Sequence, residues 1–238
     1  MLIITHRISE SKYLVAMDHS IAPAPPYRHV AWIYDLLASA YSLGAIDRAK
    51  RSHHKLIRPG DRVLYIGAGR GKEIAAACKL GAKVTCVEPC PAMAKKLHQR
   101  LSNVADRFTI VPKPIQSIPA DPAYDLVVAH FFLNIFDAGT MPTVLTHICG
   151  FVKHGGSLVI ADFKPSGQEA GSIERAIRWL HYRPVNLAGR LLRICSLHPI
   201  YDYEPLLKDA NLTVSSRESQ HILPGLTDFY EVVTAGHR

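Results

Sequence analysis

RVLYIGAGRGKE, residues 62–73, starts as a short apolar run and then places glycine at every second position, at Gly67, Gly69 and Gly71. An apolar run of this length reads as a buried strand, and the charged, alanine-rich residues after it read as a helix. Glycines at such a junction let the backbone approach a ligand closely, and the first N–H groups of the helix are available to a negatively charged group. The next apolar run, KVTCVEP, ends at Glu88, twenty-one positions after Gly67. A carboxylate at the end of a second strand can accept hydrogen bonds from the two hydroxyls of an adenosine ribose. A dinucleotide fingerprint requires its third glycine where this chain has Lys72, and a bulky side chain there disfavours NAD or FAD.

Outward from this stretch, strands and helices alternate. GKEIAAACKLG reads as a helix ended by Gly81, and PAMAKKLHQRLS as a second with Pro91 in its first turn. FTIVP and YDLVVAHFF read as the third and fourth strands, MPTVLTHICGFV as a helix, and GSLVIADF as a fifth strand after a Gly-Gly turn. Alternation over residues 62–163 implies right-handed crossovers and a doubly wound, mostly parallel sheet covered on both faces. Beyond Phe163 two short helices are expected within 173–196, then a helix at YEPLLKDAN, and then two strands, LTVSSRES and DFYEVVTAGH, pairing as a hairpin at the sheet edge.

Ahead of the first strand, the arm and the proline-rich APAPP at 22–26 lead to a helical stretch from Tyr34, broken near Gly44. The expected layout is a single domain, with an arm and helical cap over 1–57, a core over 58–238, and a helical lid at about 166–200. At 238 residues and 48% hydrophobic composition, the chain can bury one sizeable core. Its apolar runs are interrupted well short of the about 20 residues needed to span a membrane. Five cysteines without paired metal-ligand spacing suggest a reducing compartment and no zinc site, and the N-terminus lacks the pattern of a secretory signal. A cytoplasmic protein is expected. The net charge of +8 is concentrated at Arg48, Lys50, Arg51, Lys55 and Arg58 and in an arginine series from Arg175 to Arg193. It would suit nucleic acid, anionic lipid or acidic metabolites alike.

Gly-x-Gly-x-Gly followed at this distance by an acid resembles the first two motifs of the class I S-adenosylmethionine (SAM) dependent methyltransferases. AYDLVVAH and FVKHGGSLVIADF are similar to that family's fourth and fifth strand regions. The resemblance implies a Rossmann-like seven-stranded sheet in the order 3-2-1-4-5-7-6, the last strand antiparallel, and SAM as cofactor with S-adenosylhomocysteine as product. It implies that Gly67, Ala68, Gly69 and Gly71 wrap the methionine part and that Glu88, followed by Pro89, holds the ribose. Met93, Ile115 and Gln116 would stand near the adenine, with Tyr34 and Tyr41 closing over the cofactor. Met93 reads equally well as a core helix residue. The chain departs from the family at two positions. Tyr65 stands where members carry an acid, and its ring is expected to turn toward the cofactor; Pro114 stands where an Asp would bind the adenine amine.

The Asn/Asp-Pro-Pro-aromatic signature of nucleic-acid amino methyltransferases is absent, since AHFFLNIFD follows the fourth strand. The layout from Tyr34 to Gly71 is similar to the ubiquinone/menaquinone biosynthesis C-methyltransferases and to soluble phospholipid N-methyltransferases. Asn134 and Asp137 resemble part of the former family's Arg-Asn-Val-x-Asp segment, with Leu133 in place of the arginine. These likenesses imply a small or lipid-like acceptor, and the basic amphipathic stretch SIERAIRWLHYR fits peripheral contact with an anionic membrane. The alternatives are a basic nucleic-acid methyltransferase and a noncatalytic SAM-binding protein. His130, just after the fourth strand, and Asp162, at the end of the fifth, are the candidate acid–base residues; His130 would also border the cofactor.

Overall fold

Four of the five residues of β1 (Arg62–Ile66) are buried, because helices cover both faces of the sheet it runs through. The computed structural model describes residues 42–67, 71–165, 177–183, 187, 200–222 and 228–237. The arm up to residue 41 with Tyr34 and Tyr41, the loop residues Ala68 and Gly69, Cys195 and most of the expected lid lie outside the described residues.

β1 pairs in parallel with β2 (Lys83–Val87) and β4 (Tyr124–His130), β2 with β3 (Phe108–Val111), and β4 with β5 (Val152–Phe163). β7 (Tyr230–Gly236) runs antiparallel to both β5 and β6 (Thr213–Gln220), which gives the order β3-β2-β1-β4-β5-β7-β6. The expected α/β fold and strand order are therefore those of the molecule.

One face of the sheet is covered by α1 (Ala45–Arg51), α2 (Lys72–Lys79) and α3 (Pro91–Arg100), which pack on Val63, Tyr65, Cys86, Val128 and Val159. The other is covered by α4 (Met141–Cys149) and α5 (Glu204–Asp209), over Leu64, Ile66, Val127, Leu158 and Ile160. The two-residue alternation of a strand thus assigns each side chain to a face. A short 3-10 segment, Ser52–Leu56, continues α1 and reaches β1.

One boundary differs from the sequence reading. Gly155 and Gly156 are not a turn ahead of β5 but part of it, at a register shift between the pairs Tyr124–Val152 and Leu126–Ser157. A Cβ on Gly156 would stand 2.7 Å from the Tyr124 carbonyl oxygen, so the strands approach there more closely than a side chain permits.

Among the described residues no helix is long and apolar enough to cross a membrane, and no three His, Cys, Asp or Glu side chains group to hold a metal ion.

Candidate active site

At the carboxyl end of the sheet, Gly67 N–H donates to the Val87 carbonyl at 2.9 Å, which sets the glycine turn beside the residue that precedes Glu88. Gly67 has φ +82°, and its absent side chain would meet nothing nearer than Phe132 Cδ2 at 3.8 Å, so backbone conformation rather than space requires glycine there. Gly71 differs. Its φ is +73° and a Cβ would fall 2.3 Å from Leu97 Cδ1, so this glycine also lets α2 and α3 pack together.

Glu88 is 9% exposed; its backbone N–H donates to Val111 O at 3.1 Å and its Oε1 accepts the Cys90 N–H at 3.0 Å. The latter bond fixes the carboxylate at the head of α3. Pro89 is exposed and Met93 half-buried on the same helix end. Ile115 is buried within the α4-side core, whereas Gln116 is half-buried beside it, on a short 3-10 turn whose preceding residue is Pro114.

Tyr65 does not turn its ring toward an open cofactor side. Its strand position places it on the α2 face, 4% exposed, with Oη 2.5 Å from His53 Nε2 and 3.4 Å from the Glu73 carbonyl that accepts from it. Burial holds its phenol well above the ordinary value. The position that carries an acid in the resembling family is here a neutral phenol–imidazole pair.

His53 is one of three clustered imidazoles. Its ring centroid lies 4.4 Å from that of His54 and 4.8 Å from that of His130. Burial, reinforced by the neighbouring His54, lowers the His53 pKa to about 3, and burial together with His53, Lys50 and His54 holds His130 well below the ordinary value. Both rings are neutral at pH 7. His53 Nδ1 and His130 Nε2 are buried and without a hydrogen-bond partner.

His130 and Asp162 do not meet. They stand at the ends of adjacent strands, with His130 registered against Ala161, but their side chains leave opposite faces of the sheet. Asp162 is 2% exposed on the α4 face, where Oδ2 accepts the Tyr203 hydroxyl at 2.5 Å and Oδ1 accepts Asn134 Nδ2 and the Phe163 N–H, each at 2.7 Å. Burial raises its pKa to about 7 against the opposing pull of those donors. Asn134 serves the Asp162 carboxylate, and Asp137 heads α4 by accepting the N–H groups of Gly139 and Thr140, each at 2.9 Å.

Sequence reasoning missed His53, Lys50 and the Phe131–Phe132 pair. Phe131 has φ +50°, and the two consecutive rings leave in different directions. Phe131 edges against Phe163 and Tyr230, while Phe132 packs on Phe136 and lies over Gly67. Nothing in local spacing marks His53, because its partners stand twelve and seventy-seven positions away. The basic cluster near α1 is partly engaged within the fold: Arg48 donates to the carbonyls of Leu43 and His221, Lys55 pairs with Glu218, and Lys50 Nζ lies 5.7 Å from the Phe131 ring centroid. On the helical stretch 177–183, Arg178 is buried and donates to Lys164 O at 3.0 Å, whereas Trp179 and Leu180 are exposed.

Residues 63–156 match the methyltransferase-domain family. An 82-residue stretch is 35% identical to a protein-L-isoaspartate O-methyltransferase of Methanoculleus marisnigri, covering 34% of this chain and 37% of that one, so the match spans little more than a third of this curated relative. Among solved structures, the chain is similar to the 1,6-didemethyltoxoflavin-N1-methyltransferase of Burkholderia thailandensis, crystallised with 1,6-didemethyltoxoflavin and S-adenosylhomocysteine. The identity is 22%, the TM-score 0.55, and the match covers 90% of this chain and 91% of that one. A family 2 O-methyltransferase of Planctomyces limnophilus in complex with apigenin is 14% identical with a TM-score of 0.65, covering 89% of this chain and 62% of that one. Residues 63–156 thus match a methyltransferase domain, and the chain shares the seven-stranded fold of the methyltransferase structures it is similar to.

Proposed function

We propose that the protein transfers a methyl group from SAM to a small or lipid-like acceptor, leaving S-adenosylhomocysteine. The observation that carries this reading is the Gly67–Val87 hydrogen bond, which holds the first glycine of the motif beside Glu88 at the carboxyl ends of β1 and β2. The turn at 67–71 would hold the methionine part, Glu88 would accept the ribose hydroxyls, and Pro89, Met93 and Gln116 would border the adenine, with Ile115 forming the floor beneath it. Tyr34 and Tyr41 would close over the cofactor from the arm. A sulfonium-bound methyl group supplies the electrophile, so the protein's task is largely to position the acceptor and exclude water.

His130 is the acid–base candidate, since its ring is neutral, carries an unpartnered nitrogen and lies against His53 at the ligand end of the sheet. Asp162 has the role of a positioning group, because both its oxygens are engaged by Asn134, Phe163 and Tyr203. Small-molecule methyltransferases among the structural relatives favour a metabolite over nucleic acid as acceptor, and the engagement of Arg48 and Lys55 within the fold points the same way.

Titration calorimetry of SAM and S-adenosylhomocysteine against the wild type and Glu88→Ala tests the reading. Micromolar affinity is expected, weakened about tenfold or more by Glu88→Ala through loss of a charged hydrogen-bond acceptor. No heat with either ligand overturns the proposal, and preferential NADH binding replaces it with a dinucleotide enzyme.

A further inference from the structure

The carboxyl end of β4 holds a group that packing does not explain. His130 Nε2 is buried without a partner, although a buried polar atom is costly to leave unpaired and nearly all such atoms have one. Three neutral or positive groups surround its ring: His53 at 4.8 Å between centroids, and His54 and the Lys50 ammonium, both close enough to oppose its protonation. Tyr65 fixes His53 from behind through the 2.5 Å bond. The next residue, Phe131, is held in a left-handed backbone conformation that a bulky side chain rarely adopts, its N–H bonded to Ala161 O at 2.7 Å and its ring braced by Phe163 and Tyr230. Lys50 Nζ lies over this ring. An imidazole lone pair, an ammonium and an apolar wall are thereby gathered where open parallel sheets bind ligands.

We propose that His130, Lys50 and Phe131 form the acceptor subsite, and that it takes an acceptor bearing an acidic O–H or N–H, of phenol, enol or azole type, methylated as its anion. This rests on the methyl-transfer reading above. A neutral imidazole accepts a hydrogen bond from such a group, and the choice between anion and cation falls to the ammonium, which favours the anion and repels a protonated amine. The weak basicity of so buried an imidazole restricts it to acceptors that are themselves acidic. In the step, the acceptor proton passes to His130 Nε2, which stays an imidazolium until the product leaves. The freed electron pair of the oxygen or nitrogen forms the new bond to the methyl carbon, while the carbon–sulfur bond breaks with its pair retained on sulfur, which becomes a neutral thioether. A headgroup amine, cationic at neutral pH, is a poor fit.

The test uses the full chain saturated with S-adenosylhomocysteine and three probes, 4-nitrophenol, 7-hydroxycoumarin and benzylamine, followed by calorimetry and absorbance at neutral pH. Both phenols should bind, with the 4-nitrophenol band shifted toward that of its anion, and benzylamine should not. Lys50→Met should remove the shift and weaken phenol binding about fivefold to tenfold, as expected for losing one partly screened charge contact, and Lys50→Arg should restore both. His130→Phe should also remove the shift. The proposal is overturned if benzylamine binds as well as the phenols, if neither phenol binds the loaded protein, or if Lys50→Met changes neither affinity nor spectrum. Failure of S-adenosylhomocysteine itself to bind would instead overturn the methyl-transfer reading, and it is read before any probe is added.

Discussion

His53 Nε2 lies 2.5 Å from Tyr65 Oη, and this bond joins the segment after α1 to β1 directly beneath the glycine turn. The ring of His53 is at once the partner of Tyr65 and the neighbour of His130. Local order in the 52–56 segment is therefore coupled to the ligand end of the sheet.

Tyr65→Phe keeps the ring in the α2-side core but leaves His53 Nε2 unpaired in a buried place. Urea denaturation should show a loss of about 1–3 kcal/mol, the usual cost of orphaning a buried polar group. SAM affinity should change by less than about threefold, since a phenol engaged by His53 acts on the turn only through packing. A variant as stable as the wild type would mean that the bond contributes nothing.

His53 has a folded pKa of about 3 against an ordinary 6.5, so it contributes stability that is complete above pH 6.5 and is lost as pH falls toward 3. At pH 5 the loss should be on the order of 2 kcal/mol. Replacing it by Phe should lower stability at pH 7, through the lost Tyr65 bond, yet flatten the decline between pH 6.5 and 4. Denaturation midpoints of the two proteins across that range give the comparison.

Asp162 acts in the opposite sense. Its folded pKa of about 7 lies above the ordinary 3.8, so its contribution is complete below pH 3.8 and is lost as pH rises toward 7. Asp162→Asn can keep all three contacts, its oxygen accepting from Asn134 and the Phe163 N–H while its amide donates to Tyr203 Oη. The variant should gain about 3 kcal/mol relative to the wild type between pH 4 and pH 7, within a factor of two. Parallel pH profiles of the two proteins would show that the carboxyl is already ionised in the fold.

Gly71→Ala places a methyl group 2.3 Å from Leu97 Cδ1 at a φ of +73°. The expected cost is about 2–4 kcal/mol, the sum of overpacking and left-handed strain. Leu97→Ala in the same chain should recover about 1 kcal/mol as a coupling in a double-mutant cycle and leave the strain in place. Full additivity of the two substitutions would show that α3 moves to accommodate the methyl.

The doubly wound, mostly parallel sheet was legible because local patterns repeat, with apolar runs such as RVLYI and LVIADF separated by helix-length amphipathic stretches, whereas the strand order came from the family resemblance. The glycine turn and Glu88 were legible for the same reason, since both sit at fixed distances along one strand–helix–strand unit. Gly155 and Gly156 misled, because a glycine pair reads as a turn when its partner strand cannot be seen. Their real constraint is the Tyr124 carbonyl 2.7 Å from where a Cβ would be.

Everything in the site that depends on side chains meeting across the sheet was decided by tertiary structure. The sequence determined that His130 and Asp162 both end strands at the ligand side, yet strand parity sends one to His53 and the other to Tyr203. Tyr65 stood out against the resembling family, but its partner lies in a different element. Spacing encodes the geometry of a single strand or helix, whose backbone fixes it, whereas the protonation and pairing of a buried group depend on which distant side chains exclude water from it.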